Sequence, residues 1–379
     1  MPNIFDYLEW RGDVPFSADP FNDVDGLVLA ELAYTLFDGV VPEDGEKISL
    51  GQVREEFFRD HKRESLMRSE KHFDRAPLLM DGMMSGARFS GTKFSDYIDI
   101  VDTKSDMQMS AVTYSLSDGS LYIAFRGTDR SIVGWKEDLN MSYLPETGGQ
   151  RKAIEYLERV GSREKGPIRV GGHSKGGNFA VYASAFAGSG VKDRIIQVYS
   201  HDGPGFRPEV LKSKEYAEIL PKIISIIPDT SIIGLLLTSE VTHKVIESSA
   251  KGLEQHDALT WEVLRNDFVP AELSDIGVFL RDTQSDWLSK IDDLSRHEFV
   301  ETLFSLFEAT GMGTFGAMSE SKLKSFEKIF SSAQDLPKDK QKQLMQIVAE
   351  FLRSGGQNVK SWYNRMRAEY ETDGENELQ

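Results

Sequence analysis

The run Ile168-Arg169-Val170-Gly171-Gly172-His173-Ser174-Lys175-Gly176-Gly177-Asn178 holds the one Gly-x-Ser-x-Gly spacing of the chain, at Gly172, Ser174 and Gly176. A serine with glycine two places before and two after can sit in a turn between strand and helix too tight for flanking side chains. Its hydroxyl then stands clear of the sheet. The N-terminus of the following helix stabilises negative charge there. The flanks agree, with a short apolar run before the motif and an apolar, helix-like run after it. The chemistry such a serine performs is nucleophilic attack on an acyl group. It needs a base to take the hydroxyl proton, an acid to orient the base, and amide donors for the oxyanion.

The surrounding pattern supplies elements to hold such groups. Residues 108–115 alternate as a strand, Asp118-Gly119 signals a turn, and 121–125 reads as the return strand. Helix is expected over 152–160, strand over 168–173, helix over 176–187, strand over 194–199, helix near 208–220 and strand over 223–227. Short apolar strands alternating with helices predict a buried, mostly parallel sheet, whose ligands bind beyond the carboxyl ends of the strands. Ser174, Asp202 and Asp229 each follow a predicted strand, so they should share one edge. Upstream, 23–37 reads as an apolar helix capped by Asn22 or Asp23, and 51–75 is charged and helix-prone. Residues 76–94 are rich in Met and Gly, which suits adaptable packing or a mobile cover.

From about residue 291 the pattern changes. Phe299, Leu303, Leu306 and Phe307 have helical spacing, as do Leu323, Phe326 and Phe330, then Leu344, Ile347, Val348 and Phe351. The expected organisation is therefore an N-terminal helical segment and lid candidate over 1–100, an α/β core over 101–290 and a C-terminal helical module over 291–379.

In an α/β-hydrolase fold the triad runs Ser, acid, His along the chain. After Ser174 the histidines are His201, His243, His256 and His297. His256 lies in a polar segment beyond the last predicted strand, where a loop can carry it over Ser174, and it is the expected base. Two aspartates follow strands. Asp202 stands in an Asp-Gly pair, a common local turn, whereas Asp229 comes one strand later. That order favours Asp229 as the acid. The oxyanion donors are expected from the N–H of Lys175 and from Thr128, in Phe125-Arg126-Gly127-Thr128-Asp129, where the hydroxyl could add a further donor.

Phe125-Arg126-Gly127-Thr128, Trp135-x-x-Asp138-Leu139 and Gly172-His173-Ser174-x-Gly176-Gly177 together resemble the class 3 lipases of the α/β-hydrolase fold. The fuller forms Trp135-Lys136-Glu137-Asp138 and Gly172-His173-Ser174-Lys175-Gly176-Gly177-Asn178 resemble a bacterial branch of class-3-lipase-like proteins of largely unassigned function. The likeness spans about residues 100–260. It implies Ser174 as nucleophile with Asp229 and His256 as partners, Thr128 and the Lys175 amide as oxyanion hole, and Arg126 paired with Asp138 beneath it. Two departures count against long-chain triglyceride at an interface. Lys175 stands where these lipases usually carry an apolar residue, and the chain has no Cys and no recognisable leader. The Lys175 side chain is expected either to meet an anionic substrate group or to be solvated.

The implied activity is hydrolysis of carboxylic esters through an acyl-enzyme, on short-chain esters, lysophospholipids or acyl thioesters. Acyl transfer is an alternative, as is a catalytically silent scaffold that uses its C-terminal helices for binding or self-association. A formal charge of −17 in 379 residues disfavours nucleic acid and anionic membrane as partners. The apolar stretch 223–237 is interrupted by Pro228, Asp229 and Gly234 and is too short to span a bilayer. A cytoplasmic protein with a small or lipid-like ester substrate, no cofactor and no metal is the resulting expectation.

Overall fold

Gly119 closes the predicted hairpin with φ +82°, a conformation that favours glycine. Ser115 then pairs with Leu121 in antiparallel register. The computed structural model describes residues 1–69, 72–128, 131–309 and Arg353. The helical patterns at 323–330 and 344–351 lie outside them.

Eight strands form one sheet whose spatial order is the order of the chain. They are β1 (Ile48–Ser49), β2 (Lys93–Asp102), β3 (Met107–Ser115), β4 (Leu121–Phe125), β5 (Ile168–His173), β6 (Ile195–His201), β7 (Ile223–Pro228) and β8 (Lys244–Ile246). β1 to β4 pair antiparallel, and from β4 to β8 every pairing is parallel. The parallel half carries the serine motif, and its strands are almost wholly buried, as a sheet covered on both faces requires. This is the α/β-hydrolase architecture.

One face is covered by N-terminal elements. Helix α1 (Asp23–Leu32) is capped by Asn22, whose side chain accepts from the amides of Val24 and Asp25. It lies close enough to the sheet that Tyr122 donates to the Gly26 carbonyl at 2.8 Å. The helix ends at Leu32, earlier than its apolar pattern predicts, and Tyr34 just beyond it meets His173 Nδ1 at 3.0 Å. The Met-rich stretch forms the helix Leu79–Met84, with Leu79, Met80 and Met83 buried in the same core cluster. There methionine fills the core.

The other face is covered by α2 (Ile132–Asn140), α3 (Gly148–Arg163) and α4 (Lys175–Phe186). Phe125, Ile168, Val170 and Val198 of the sheet pack there against Tyr156, Leu157, Phe179 and Ala183. Two later helices follow, α5 (Asp275–Lys290) and α6 (Asp293–Ala309). Val300 and Phe304 of α6 form a small buried cluster with Tyr143, against Leu139 and Leu144 at the end of α2. Glu301 of α6 also binds Lys136 of α2 at 3.0 Å. Within the first hundred residues, β1 and most of β2 belong to the same sheet as the core, and residue 100 lies inside β2. Among the described residues no helix is long and apolar enough to cross a membrane.

Candidate active site

Ser174 joins β5 to α4 with φ +57° and ψ −133°, a strained backbone for a residue with a side chain. Its N–H donates to the His201 carbonyl at 2.9 Å, and its carbonyl accepts from Gly177. The glycines are required by crowding. A Cβ on Gly172 would lie 2.3 Å from the Gly176 carbonyl carbon, and one on Gly176 would lie 2.0 Å from the Phe125 oxygen. Ser174 is partly exposed, whereas every neighbour from Ile168 to Ala183 is buried.

The strand register places Asp202 beside it. His173 of β5 pairs with His201 of β6, so the next residues, Ser174 and Asp202, emerge together at the carboxyl edge. Asp202 has φ +48° and is 0% exposed. Its Oδ2 lies 2.6 Å from His256 Nδ1. Its Oδ1 accepts from Ser231 Oγ at 2.5 Å and from the Gly234 amide at 3.1 Å. His256 is therefore held by Asp202 and not by Asp229, the acid expected from strand order. The reason is local. Gln255, the residue before the histidine, donates from Nε2 to Asp229 Oδ1 at 2.5 Å and accepts from the Thr230 amide at 2.8 Å. Asp229 thus anchors the histidine loop through Gln255, and successive side chains point His256 the other way, towards β6. The loop is secured further by Trp261, which donates to the Gln255 carbonyl at 2.8 Å.

The His256 ring lies over that of His173, with centroids 4.6 Å apart and planes at 31°. That stacking brings the imidazole above the residue that precedes the nucleophile. Among the described residues no hydrogen bond joins Ser174 to His256, and contacts of this kind commonly tighten only in the substrate complex.

The remaining histidines have other occupations. His201 is buried in the sheet with Nδ1 3.3 Å from the Gly172 carbonyl, and burial pushes its pKa down to about 4. His243 Nδ1 meets Ser225 Oγ at 2.8 Å, and His297 Nδ1 meets the Tyr143 hydroxyl at 3.2 Å.

Thr128 follows β4, next to the elbow. A Cβ on Gly127 would lie 3.0 Å from Ser174 Cβ. The Thr128 hydroxyl donates to Asp138 Oδ2 on α2. That bond fixes the rotamer and commits the hydroxyl proton, so the Thr128 N–H is the donor left for an oxyanion. Lys175 opens α4, a position at which the N–H has no intrahelical acceptor. Arg126 pairs with Asp99 at 2.8 and 3.0 Å rather than with Asp138. Burial raises the Asp138 pKa to about 6, against the nearby Lys175 charge and the Thr128 hydrogen bond, which both lower it.

Lys175 follows neither expectation for its side chain. It is 1% exposed, and Nζ lies 3.3 Å from Glu137 Oε2 and 3.4 Å from the Gly134 carbonyl of α2. Its stem runs inward from the start of α4 to the backbone and Glu137 of α2.

Sequence reasoning also missed a buried set behind the elbow. His173 Nδ1 lies 3.0 Å from the Tyr34 hydroxyl and 3.4 Å from Glu31 Oε1, with all three residues on or beside α1 and β5. Burial raises the Glu31 carboxyl well above its usual range, and the charge of Asp257 raises it further. Burial likewise raises Tyr34, which receives a backbone hydrogen bond from Gly127. A glutamate inside an apolar helix facing a sheet was the available signal.

A strained serine at the strand-to-helix turn of a mostly parallel sheet, with a carboxylate-bound histidine at the same edge, defines a lipase-like α/β-hydrolase. The Mbeg1-like family model matches residues 83–305, and the chain belongs to that family. The chain is also similar in structure to M37 lipase, with 14% identity and a TM-score of 0.32 over 56% of this chain and 68% of that one. It is similar to the native Rhizomucor miehei lipase propeptide complex, with 12% identity and a TM-score of 0.33 over 50% of this chain and 71% of that one. For a deletion mutant of the same complex the values are 13% and 0.34, over 48% of this chain and 65% of that one. Comparison with curated proteins gives no match.

Proposed function

We propose that the protein is a serine hydrolase that cleaves carboxylic esters through an acyl-enzyme, with Ser174 as nucleophile, His256 as base and Asp202 as the acid that orients it. The observation that carries this reading is the 2.6 Å contact between His256 Nδ1 and Asp202 beside a strained, partly exposed Ser174. With Nδ1–H donated to Asp202, the proton-free Nε2 can accept the serine proton.

Ser174 Oγ attacks the ester carbonyl as its proton passes to His256 Nε2. The tetrahedral oxyanion is bound by the amides of Lys175 and Thr128. His256 then gives the proton to the departing alcohol oxygen as the C–O bond breaks. Water repeats the sequence on the acyl-serine, releasing acid and restoring Ser174. A small or lipid-like ester is the substrate class.

The test is mass spectrometry after treatment with a fluorophosphonate, alongside p-nitrophenyl ester hydrolysis. A single adduct on Ser174 with turnover supports the proposal. Absence of both in folded protein refutes it.

A further inference from the structure

The two oxyanion donors sit on different elements, one in the loop after β4 and the other at the start of α4. Their separation must be held within a fraction of an ångström, because about 1 Å of misplacement costs on the order of 10²-fold in rate. One buried path connects them. Thr128 is held by Asp138 of α2, and the preceding residue of α2, Glu137, holds the side chain of Lys175. Lys175 and Glu137 side chains are both 0% exposed. Glu137 is itself fixed, since Oε1 accepts from the Gly149 amide of α3 at 2.6 Å and Oε2 accepts from the Gln108 amide of β3 at 2.8 Å. Lys175 also reaches the Gly134 carbonyl, one turn earlier on α2.

Building upon the hydrolase reading above, we propose that the Lys175–Glu137 ion pair is a positioning device that sets the spacing of the oxyanion hole. Lys175 contributes twice, through its amide as a donor and through its ammonium as a strut that locks α2 to the start of α4. A buried ion pair is a poor source of stability, since replacing both members by apolar groups is often neutral or stabilising. Removing one partner alone strands the other charge and destabilises the fold. A strut and a mere packing element are therefore separable by experiment.

Three variants are compared with wild type: Lys175→Met, Glu137→Gln and the double Lys175→Met/Glu137→Gln, which keeps an acceptor at 137. Each is read by thermal melting, by kcat and KM on a p-nitrophenyl ester, and by amide hydrogen exchange of residues 126–128 and 174–178. The single variants should melt lower. The double variant should melt above either single variant, because neither charge is stranded, and below wild type, because an amide at 137 offers one acceptor to the Gly149 and Gln108 amides where the carboxylate offers two. It should still lose about 10²-fold in kcat, with KM changed less than threefold and faster exchange at 126–128. A double variant that melts above both single variants and keeps the wild-type kcat would overturn the strut. If the wild-type protein neither labels at Ser174 nor turns over ester, the hydrolase reading fails and exchange decides the strut alone. Unchanged exchange at 126–128 in a folded double variant would then reject it.

Discussion

Replacing Asp202 by Asn changes one atom and should cost about 10⁴-fold in kcat, near 5.5 kcal/mol of transition-state stabilisation at 1.36 kcal/mol per tenfold. Both carboxylate oxygens of Asp202 are acceptors, Oδ2 from His256 and Oδ1 from Ser231 and Gly234. Asn offers one acceptor. Two donors compete for it on the Ser231 side, so the amide nitrogen turns towards His256 Nδ1. A donor facing Nδ1 drives the imidazole proton to Nε2, the atom that must accept from Ser174. Asp229→Asn is the matched control. Its carboxyl accepts from Gln255 through a single oxygen that Asn retains, so the cost should stay near 1 kcal/mol, less than about tenfold. The assay is kcat/KM for p-nitrophenyl acetate, with melting curves showing that both variants fold. If Asp229→Asn is the more damaging change, or Asp202→Asn retains a tenth of wild-type activity, the assignment of the acid is wrong.

Three further outcomes are expected. Ser174→Ala should abolish ester turnover by on the order of 10⁴-fold or more while leaving the melting temperature unchanged or higher, since, among the described residues, the bonds that hold Ser174 are made by its backbone; retention of a tenth of the rate would exclude Ser174. Gly176→Ala should fail to give folded soluble protein, because its Cβ would sit 2.0 Å from the Phe125 oxygen, and a soluble variant with a normal melting curve would contradict that geometry. Asp138 has its pKa raised to about 6, so burial of its charge costs stability in full above that pH, and the cost shrinks as pH falls through 6 and is gone only below the ordinary carboxylate value. Asp138→Asn should accordingly stabilise the protein at pH 8 by at most about 3 kcal/mol and at pH 5 by roughly half as much, while kcat falls through the loosened Thr128. Denaturation midpoints at the two pH values check the sign, and a variant less stable at pH 8 than at pH 5 relative to wild type would reverse it.

The parallel half of the sheet was legible because its strands are continuous apolar runs, each ended by a polar turn, and the elbow because crowding leaves only glycine at two fixed positions. The antiparallel strand at 93–102 was not read, since Asp96, Asp99 and Asp102 interrupt its apolar pattern. Those charges are accommodated in three dimensions. Asp96 sits at a bulge with φ +60° under Arg159 and Arg163, and Asp99 accepts from Arg126. At the site, the order Ser, acid, His admitted both Asp202 and Asp229. What separated them was the neighbour of the histidine. Gln255 claims Asp229, and no periodicity or motif announces which of two adjacent side chains will turn to which strand. The fate of Lys175 was hidden similarly, because its partner lies 38 residues earlier on another helix.

The strands are laid down in space in the order in which they leave the ribosome. Each new strand therefore meets its partner already made, and the sheet can grow by addition at one edge without waiting for a distant segment. The nucleophile lies in the middle of that growth, and the loop carrying His256 arrives only after β8. The residues of the elbow thus leave the ribosome some eighty positions before His256 does. On the proposed reading, the serine therefore gains its base only after β8 has emerged, when Gln255 meets Asp229 and Asp202 takes His256.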